Sequence, residues 1–434
     1  MIWNKERECM SRSQTEAIQL EGLKNTVRYV YDKVPHYRKQ MDELGVKPKH
    51  IQALKDLQLL PFTTKEDLRQ NYPFGLFAVP NSEIVRIHAS SGTTGKPTVV
   101  GYTRHDLDMW TELLARIITA AGVGKGDTAQ VSFSYGLFTG AHGLQYGLER
   151  VGASVIPISG GNTEKQLMIM EDFGTTAFIS TPSYSLYIAE AMQERGIDPK
   201  KLKLRVGLFG GEAFSNEMRR EIEKRLDILA TDNYGLSEVL GPGVSGECIF
   251  GTGLHIAEDH FIAEVVDRET LETLEPGQEG ELVFTSLDKE AFPILRYRTK
   301  DISTITFDKC VCGRTSARMA KVTGRTDDML IIRGVNVFPS QIEGVLMGMP
   351  GLGPQYQIHV YRENYLDRLE VAVELLDGSL LDRYIELEAL REKVKDKLHT
   401  ILGINCKVRL VEPTSFERTP GKAKRVFDHR NENK

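Results

Sequence analysis

The chain has 434 residues, with 55 lysines and arginines against 60 aspartates and glutamates. The length is too great for one core of ordinary size, so we expect a large domain and at least one smaller domain. The formal charge of −5 excludes the broad cationic field that binds nucleic acid or an anionic membrane, and the lack of an apolar run near the roughly 18 residues of a membrane span predicts a cytoplasmic protein.

The opening of the chain, from about residue 12 to 70, is predicted to be a helical lobe. Leu23, Val27, Val30 and Tyr31 recur at spacings of three and four, which is the period of an amphipathic helix. Residues 63–66 (TTKE) are typical of a helix start, with a capping hydroxyl followed by an acid.

Between about residues 83 and 300, short β-rich runs alternate with helical stretches. Residues 130–133 (QVSF) and 177–180 (AFIS) are runs of the first kind, and residues 184–193 are a helical stretch. This alternation predicts a layered α/β domain with parallel sheets.

The pattern changes after residues 324–328 (GRTDD). Strands are predicted at 358–361, 369–375 and 407–411. Between the second and third strands a helix is predicted that ends at Gly403 and has these residues on one face: Leu387, Leu390, Val394, Leu398 and Ile401. We therefore expect an α+β domain at 328–434, joined to an N-terminal domain at 1–327 by a hinge at Asp327.

The strongest local motif is the loop at residues 90–97 (SSGTTGKP). Its glycines let backbone N–H groups approach a polyphosphate, and Lys96 supplies positive charge. The loop is not a Walker A motif, because the glycine spacing is shorter and Pro97 follows the lysine. Alternating residues on both sides predict strand, so a Ser/Gly-rich hairpin without a ligand is the alternative interpretation.

The five cysteines are an odd number, which argues against a secreted disulfide framework and for free thiols or a metal site. Three thiols and one imidazole could complete a closed tetrahedral structural zinc site: Cys248, His255, Cys310 and Cys312. Buried free thiols are the alternative, and His260 is a competing ligand. Cys9 and Cys406 have no evident partner, so we expect them to be inert.

The loop at 90–97 resembles the phosphate loop of the adenylate-forming superfamily, which contains acyl-CoA synthetases, peptide-synthetase adenylation domains and luciferases. Further segments resemble the superfamily's later motifs, in the right order: 210–212 (GGE), 234–238 (YGLSE), 296–301 (RYRTKD), 324–328 with 333–334 (GRTDD, RG) and 418–422 (RTPGK). Each motif alone is weak, but six in order are specific. The resemblance covers nearly the whole chain and implies the adenylate-forming enzyme fold.

Within that superfamily the chain resembles the phenylacetate-CoA ligase branch, as shown by residues 133–138 (FSYGLF), 238–243 (EVLGPG) and 333–339 (RGVNVFP). This resemblance implies a ligase of aromatic catabolism that activates a small aromatic acid with ATP and magnesium and transfers the acyl group to coenzyme A. It also suggests a homodimer. Residues 419–422 (TPGK) depart from the Ser-Gly-Lys common in the superfamily, and we assign the catalytic amine to Lys422 rather than Lys424.

The resemblance also implies individual roles. Lys422, Glu238 and Thr94 are the expected catalytic residues, with Glu238 as magnesium ligand. The expected nucleotide-binding residues are Ser90, Ser91, Gly92, Thr93, Gly95, Lys96, Gly211, Glu212, Asn233, Tyr234, Gly235, Ser237, Asp301, Arg325 and Gly334. Lys422 would serve the first half-reaction and obstruct the second, so the resemblance implies rotation of the small domain about Asp327.

Aromatic and small residues together would leave a flat apolar slot for the ring of the acid. The candidates are Tyr135, Phe138, Gly211, Ala213, Tyr234 and Pro242. Phe138 could instead be ordinary core. The residues do not separate phenylacetate from hydroxyphenylacetate, indoleacetate or a benzoate.

Two other functions share parts of this pattern. An adenylation enzyme that loads a carrier protein performs the same first half-reaction, but it usually has an acidic residue for an amino group, and none is evident among the pocket candidates. A nucleotide-binding scaffold without turnover is disfavoured by Lys422, Glu238 and Asp301 together, since a lysine that acts only in the transition state has little use in a binder.

Overall fold

The computed structural model describes residues 1–89, 97–212, 215–333, 335–363, 366–418 and 423–430. Its α-helices are α1 Lys5–Glu8, α2 Arg12–Lys33, α3 Pro35–Glu43, α4 Lys65–Gln70, α5 Arg104–Ala120, α6 Thr139–Arg150, α7 Thr163–Asp172, α8 Pro182–Glu194, α9 Asn216–Leu226, α10 Pro339–Met347 and α11 Tyr384–Leu402. Single 3₁₀ segments lie at Pro48–His50, Leu54–Leu59, Asn81–Glu83, Pro199–Lys201 and Gly378–Asp382.

The strands follow in chain order. They are β1 Arg86–Ala89, β2 Val99–Tyr102, β3 Thr128–Val131, β4 Ser154–Ile156, β5 Ala177–Ser180, β6 Val206–Phe209, β7 Leu229–Leu236, β8 Gly241–Glu247, β9 Leu254–Ile256, β10 Phe261–Val266, β11 Gly280–Ser286, β12 Tyr297–Ser303, β13 Ile305–Thr306, β14 Arg318–Met319, β15 Gly324–Arg325, β16 Leu330–Ile332, β17 Val335–Val337, β18 Leu352–Glu363, β19 Leu366–Leu375, β20 Lys407–Val411 and β21 Val426–Asp428.

The chain folds into two compact units. The first contains Met1–Ser180, Leu202–Gly211 and Leu229–Lys321, and the second contains Thr181–Lys201, Glu212–Ile228 and Val322–Lys434. The second unit thus includes helices α8 and α9 as well as the C-terminal part of the chain. The boundary at Asp327 stays a prediction.

The centre of the first unit is a nine-stranded sheet in the order β13-β14-β9-β8-β7-β6-β5-β3-β4. Strands β4, β3, β5, β6 and β7 run parallel, which confirms the predicted parallel sheet. Strands β5 and β6 are buried along their whole length, as expected for the middle of such a sheet. Ligands of open α/β sheets bind outside the carboxyl ends of the parallel strands, so this edge is where a site is expected.

The helical lobe is confirmed. Leu23, Val27 and Val30 of α2 are fully buried, so the spacing of three and four did mark the packed face. The N-cap of α4 is Thr64, whose hydroxyl accepts from the backbone N–H of Asp67 while the Asp67 carboxylate accepts from Thr64. The predicted capping pattern is therefore present, with Asp67 as its acid.

Strands β1 and β2 are the strands predicted on either side of the Ser/Gly-rich loop, and they pair antiparallel with Ala89 opposite Val99. Strands β10, β11 and β12 form a smaller antiparallel sheet in the same unit. Along β11 every residue is buried, so this sheet has a well-packed centre.

In the second unit, a four-stranded sheet has the order β20-β19-β18-β21. Its apolar face, with Ile358 and Val371 fully buried, shares one core with residues of α10 and α11. Gly403 ends α11 in the left-handed conformation at φ 69°, as predicted. The C-terminal part of the chain therefore has the predicted α+β architecture.

One predicted core position of α11 is wrong. Ile401 is 53% exposed, and Leu402 is buried in its place. The buried residues Val394, Leu398 and Leu402 are each four positions apart. Because an α-helix has about 3.6 residues per turn, this spacing turns the buried face gradually around the helix axis, and Ile401 lies on the exposed side. In the described part of the chain, none of the helices combines the length and apolarity required to cross a membrane.

Candidate active site and metal centre

Two residues predicted to bind nucleotide meet at the end of the parallel sheet. The Tyr234 hydroxyl, on β7, donates a 2.6 Å hydrogen bond to Asp301 Oδ2, on β12. Asp301 is 6% exposed, and its backbone N–H donates to Thr299 Oγ1 at 3.0 Å. The Tyr234 ring lies 6.0 Å from the ring of Phe284. This pair places a carboxylate and a flat aromatic ring side by side, the two groups that would recognise the ribose and base of a nucleotide.

Next to this pair, β6 is followed by two glycines, Gly210 and Gly211, which have no side chains. Asn233 Nδ2 donates to the carbonyl of Phe209 at 2.5 Å, and a Cβ added at Gly210 would lie 2.7 Å from the carbonyl oxygen of Asn233. Gly211 has a φ of +83°, which an L side chain rarely adopts. The glycine pair therefore lets β6 and β7 approach closely and leaves a flat edge.

Glu212, the next residue, uses its carboxylate inside the second unit. Its Oε1 accepts from the backbone N–H of Ser183 at 2.7 Å, in the first turn of α8. A carboxylate at a helix N-terminus is stabilised by the exposed N–H groups there. The Glu212 carboxylate thus has a structural hydrogen bond, and the predicted role of this residue in nucleotide binding stays a prediction.

The turn between β7 and β8 carries Glu238, which is 7% exposed. Gly235 allows the turn to close, because a Cβ there would lie 1.8 Å from the carbonyl oxygen of Gly241. Ser237 Oγ lies 3.1 Å from Thr139 Oγ1 at the start of α6, and the Pro242 carbonyl accepts from Trp110 Nε1 at 2.7 Å. Ser237 and Glu238 are therefore held on one tight turn, and Pro242 is held at the start of β8.

The predicted pocket residue Tyr135 has a buried hydroxyl with no hydrogen-bond partner among the described residues, and burial raises its pKa. Its ring meets that of His142 edge to face at 5.0 Å, and His142 lies 5.5 Å from His88. Burial lowers the pKa of His88 to about 4, so this imidazole is neutral at pH 7. Phe138 is 45% exposed, so the alternative that it is ordinary core is wrong.

Arg325, predicted to bind the nucleotide through its ribose or phosphate, and Asp327, the predicted hinge, bind one another. Arg325 Nε and Nη2 donate to the two carboxylate oxygens of Asp327 at 2.9 and 3.1 Å. Asp328 lies 3.7 Å from the same guanidinium. This two-point pairing fixes the backbone just before the predicted small domain.

The four predicted zinc ligands do converge. The ligand atoms of Cys248, His255, Cys310 and Cys312 all lie within 4.8 Å of one another. Cys248 Sγ and Cys310 Sγ are 3.8 Å apart, and Cys312 Sγ is 3.4 Å from His255 Nε2. With Zn–S bonds of about 2.3 Å, two sulfurs of a tetrahedral site are separated by about 3.8 Å, so the spacing fits zinc.

The surroundings of the cluster are suited to a metal. The other nitrogen of the His255 ring lies 3.2 Å from Ser316 Oγ, which orients the imidazole, and burial lowers the His255 pKa to about 3, so the ring is neutral. Burial raises the pKa of the Cys248 thiol to about 12. Burial also acts against ionisation of Cys310, but hydrogen bonds from Thr252 and Cys312 outweigh it and lower the Cys310 pKa to about 7.

His260, the competing ligand, lies elsewhere: its ring nitrogens are 3.5 and 3.6 Å from carboxylate oxygens of Asp259 and Asp288. Cys406 is buried in the core of the second unit. Cys9 is a free thiol outside the four-residue cluster, and its Sγ donates to the Gly313 carbonyl at 3.3 Å.

Several predicted residues lie outside the described part of the chain. They are Ser90, Ser91, Gly92, Thr93, Thr94, Gly95, Lys96, Ala213, Gly334 and Lys422. Their roles stay predictions.

Sequence reasoning missed the residues that support the Glu238 turn, namely Tyr102, Trp110 and Lys289, and the His88–His142 pair beside Tyr135. The first three contact a turn more than 45 residues away in the chain. Lys289 lies between Asp288 and Glu290 in the sequence, so nothing in its neighbourhood marked it as a buried residue. The one available signal was a histidine four residues after Phe138 on a predicted pocket wall.

Comparison with known proteins agrees with this geometry. Residues 17–287 match the family of AMP-binding enzymes, and residues 334–430 match the AMP-binding enzyme C-terminal domain. A phenylacetate-coenzyme A ligase of Aromatoleum evansii is 49% identical over 97% of this chain and 96% of its own, and one of Escherichia coli K12 is 48% identical over 98% and 97%.

Among solved structures, the 2-hydroxyisobutyryl-CoA ligase in the postadenylation state, in complex with R3-HIB-AMP, superimposes with a TM-score of 0.91 at 30% identity. The match covers 97% of this chain and 91% of that one. The predicted fold class, a large layered α/β domain with β-sheets and a smaller α+β C-terminal domain, is thereby confirmed.

Proposed function

The chain belongs to the AMP-binding enzyme family, in its phenylacetate-coenzyme A ligase branch, and we propose that it joins a small aromatic acid, phenylacetate foremost, to coenzyme A with the use of ATP. It is an acid–thiol ligase that forms AMP. Identity near one half over almost the entire length supports the same reaction in this chain.

The reaction has two halves. A carboxylate oxygen of the acid attacks the α-phosphorus of ATP, a new P–O bond forms, and the bond to the β-phosphate breaks so that pyrophosphate leaves. The thiol of coenzyme A then attacks the acyl carbon of the acyl-adenylate. The C–S bond forms, the C–O bond to AMP breaks, and the thiol proton passes to solvent.

The observation that carries the proposal is the Tyr234–Asp301 pair at the carboxyl end of the parallel sheet. The Asp301 carboxylate accepts from the Tyr234 phenol, and we assign to the same carboxylate the recognition of the ribose hydroxyls. The Tyr234 ring would lie beside the adenine, and the backbone around Gly211, Glu212 and Asn233 would face the edge of the base.

Magnesium would be held by the carboxylate of Glu238, a hard oxygen donor on a turn that Ser237 and Gly235 keep tight. When bound, magnesium offsets the charge of the departing pyrophosphate. The loop of Ser90, Thr93, Thr94 and Lys96 would contribute hydroxyl, backbone and ammonium donors to the phosphates. We assign to Lys422 the charge that stabilises the transition state of the first half-reaction.

We propose that Cys248, His255, Cys310 and Cys312 bind one structural zinc ion. Four protein ligands leave no open position, so the ion would stabilise the fold and take no part in chemistry. The support is geometric: the sulfur–sulfur distance of 3.8 Å equals that of a tetrahedral zinc site, and Ser316 orients the imidazole.

We further propose that residues 328–434 form the mobile domain and that Asp327 is the hinge. The Arg325–Asp327 pairing supports a defined conformation before the hinge, and Arg325 would exchange this partner for nucleotide as the domain rotates.

Free thiols and the dependence on ATP and coenzyme A favour a cytoplasmic enzyme. A homodimer is proposed from the family resemblance, and sedimentation of the purified protein would test it.

The proposed reaction is tested by AMP release from ATP and magnesium with a panel of aryl and alkyl acids, each with and without coenzyme A. Coenzyme A-dependent AMP formation that is strongest with phenylacetate is the expected result. Strongest turnover with indoleacetate or a benzoate would change the substrate and keep the reaction. AMP or adenylate formation that ignores coenzyme A would favour the alternative, an enzyme that loads a carrier protein.

A further inference from the structure

The turn that carries Glu238 is held in place by hydrogen bonds from side chains that are distant in the sequence. Its backbone closes on itself, because the N–H groups of Val239 and Leu240 both donate to the carbonyl of Leu236, at 3.1 and 3.0 Å. The carbonyls that follow Glu238 cannot then be satisfied within the turn. Buried backbone carbonyls need partners, so the donors must come from elsewhere in the fold.

Three buried side chains supply those donors. Lys289 Nζ donates to the carbonyl of Val239 at 3.0 Å, and the Tyr102 hydroxyl donates to that of Leu240 at 2.6 Å. Trp110 Nε1 donates to that of Pro242 at 2.7 Å, and the Tyr102 and Trp110 rings stack at 5.1 Å. A strand, a helix and the loop after β11 thus converge on one turn.

Lys289 differs from the other two donors because it is charged. It is 3% exposed, and an ammonium group buried to that degree is costly unless other charges and dipoles offset it. The Val239 carbonyl accepts a hydrogen bond from one of the three N–H groups of this ammonium. The rings of Tyr102 and Phe292, each with its centroid 5.1 Å from Nζ, offset part of the remaining charge.

Burial lowers the pKa of the Lys289 ammonium to about 8, and the negative charges of Asp106 and Glu238 oppose that shift. Asp106 is engaged with backbone: its oxygens accept from the N–H groups of Glu290 and Ala291 at 2.8 and 3.0 Å and from that of Thr103 at 3.0 Å. Glu238 is the carboxylate on the turn itself. A neutral donor could bind the Val239 carbonyl at lower burial cost, so the charge of Lys289 calls for an additional role.

We propose that Lys289 is a positioning residue for the metal-dependent half-reaction. Its buried ammonium fixes the Val239 carbonyl and attracts the neighbouring Glu238 carboxylate. This carboxylate is thereby held where it binds the divalent cation that accompanies ATP. The inference rests on the proposed function for the role of Glu238. It assigns Lys289 no contact with substrate.

The test compares Lys289→Met, which keeps the length and removes the charge, with Lys289→Gln, which keeps a neutral donor. The half-buried Lys47, which pairs with Asp42 in the helical lobe, provides the control Lys47→Met. Mn²⁺ binding in the presence of ATP is measured by electron paramagnetic resonance without any acid, together with the Mg²⁺ concentration that gives half-maximal AMP formation.

Lys289→Met is expected to weaken Mn²⁺ binding and raise the Mg²⁺ requirement by about tenfold or more, the usual effect of removing a group that orients a metal ligand. Lys289→Gln should recover part of the loss. Thioester formation from a supplied acyl-adenylate should not change, and Lys47→Met should match the wild type in every assay.

A folded Lys289→Met protein with wild-type Mn²⁺ binding and Mg²⁺ dependence would overturn the proposal. So would failure of both Lys289 variants to fold, because Lys289 would then be a residue of core stability. Failure of the proposed function is a separate result: the wild type would form no AMP with any acid, whereas its Mn²⁺ binding with ATP would still be measurable.

Discussion

The Tyr234 phenol and the Asp301 carboxylate are joined by a 2.6 Å hydrogen bond although 67 positions separate them in the chain. The bond links the last parallel strand of the large sheet to the small antiparallel sheet. It also takes up one carboxylate oxygen, so the orientation of Asp301 toward a ligand depends on Tyr234.

Asp301→Asn is expected to raise the KM for ATP by about 10- to 100-fold, because a charged acceptor of hydrogen bonds is lost. Tyr234→Phe should raise it by a smaller factor, since the ring stays and only the bond that orients Asp301 is removed. Steady-state AMP formation at varied ATP measures both. Asp308→Asn, on the exposed loop that follows β13, is the control. An unchanged KM in Asp301→Asn would contradict the ribose assignment.

The cysteine cluster predicts a metal content. The purified protein should contain about one zinc per chain that desalting does not remove. Cys310→Ser should lose this zinc and unfold at a lower temperature, because binding of a structural metal is coupled to folding. Cys9→Ser should keep the zinc, since a hydroxyl can replace the thiol that donates to Gly313. Absence of zinc from the wild type, measured by elemental analysis, would contradict the site.

Much of this fold could be predicted from local patterns in the sequence. The capping residue Thr64 and the terminal Gly403 mark helix ends because each satisfies local backbone groups, a requirement independent of tertiary packing. Strand β5 was predicted with its observed ends, since a short run of apolar residues between turns fits a buried parallel strand.

The contacts that shape the site could not be predicted in this way. Lys289, Tyr102 and Trp110 reach the Glu238 turn from separate elements, and only tertiary packing brings them together. Ile401 fits a regular helical period, but the surface against which α11 packs follows four-residue steps instead. The zinc ligands could be predicted in part. Their residue types identified them in the sequence, but only the fold shows that they form one cluster.

Arg418 directly precedes residues 419–422, which are predicted to contain the catalytic lysine, and its own side chain is paired with two carboxylates. Its two terminal nitrogens donate to the carboxylate oxygens of Glu374 at 2.8 and 2.7 Å, and its Nε donates to Glu190 of α8 at 3.1 Å. Glu190→Gln should slow acyl-adenylate formation by about tenfold or more, since a hydrogen bond between charged groups contributes roughly 1.5–3 kcal/mol.

Thioester formation from a supplied acyl-adenylate should not change in Glu190→Gln, because residues 419–422 are predicted to act in the first half-reaction. Glu194→Gln, an exposed position on the same helix, is the matched control. Equal slowing of both half-reactions would mean that the Arg418–Glu190 pair supports the fold in general and has no special relation to residues 419–422.

Lys422→Ala is expected to reduce acyl-adenylate formation by about 100-fold or more, since the ammonium would offset charge that develops at the α-phosphate in the transition state. Thioester formation from a supplied acyl-adenylate should persist, because no phosphoryl bond is made or broken in that step. Lys424→Ala is the control, with an ammonium that lies 4.7 Å from the Phe427 ring centroid. Loss of adenylation in Lys424→Ala alone would move the catalytic amine to that residue, and equal loss of both steps in Lys422→Ala would contradict the division of labour between the half-reactions.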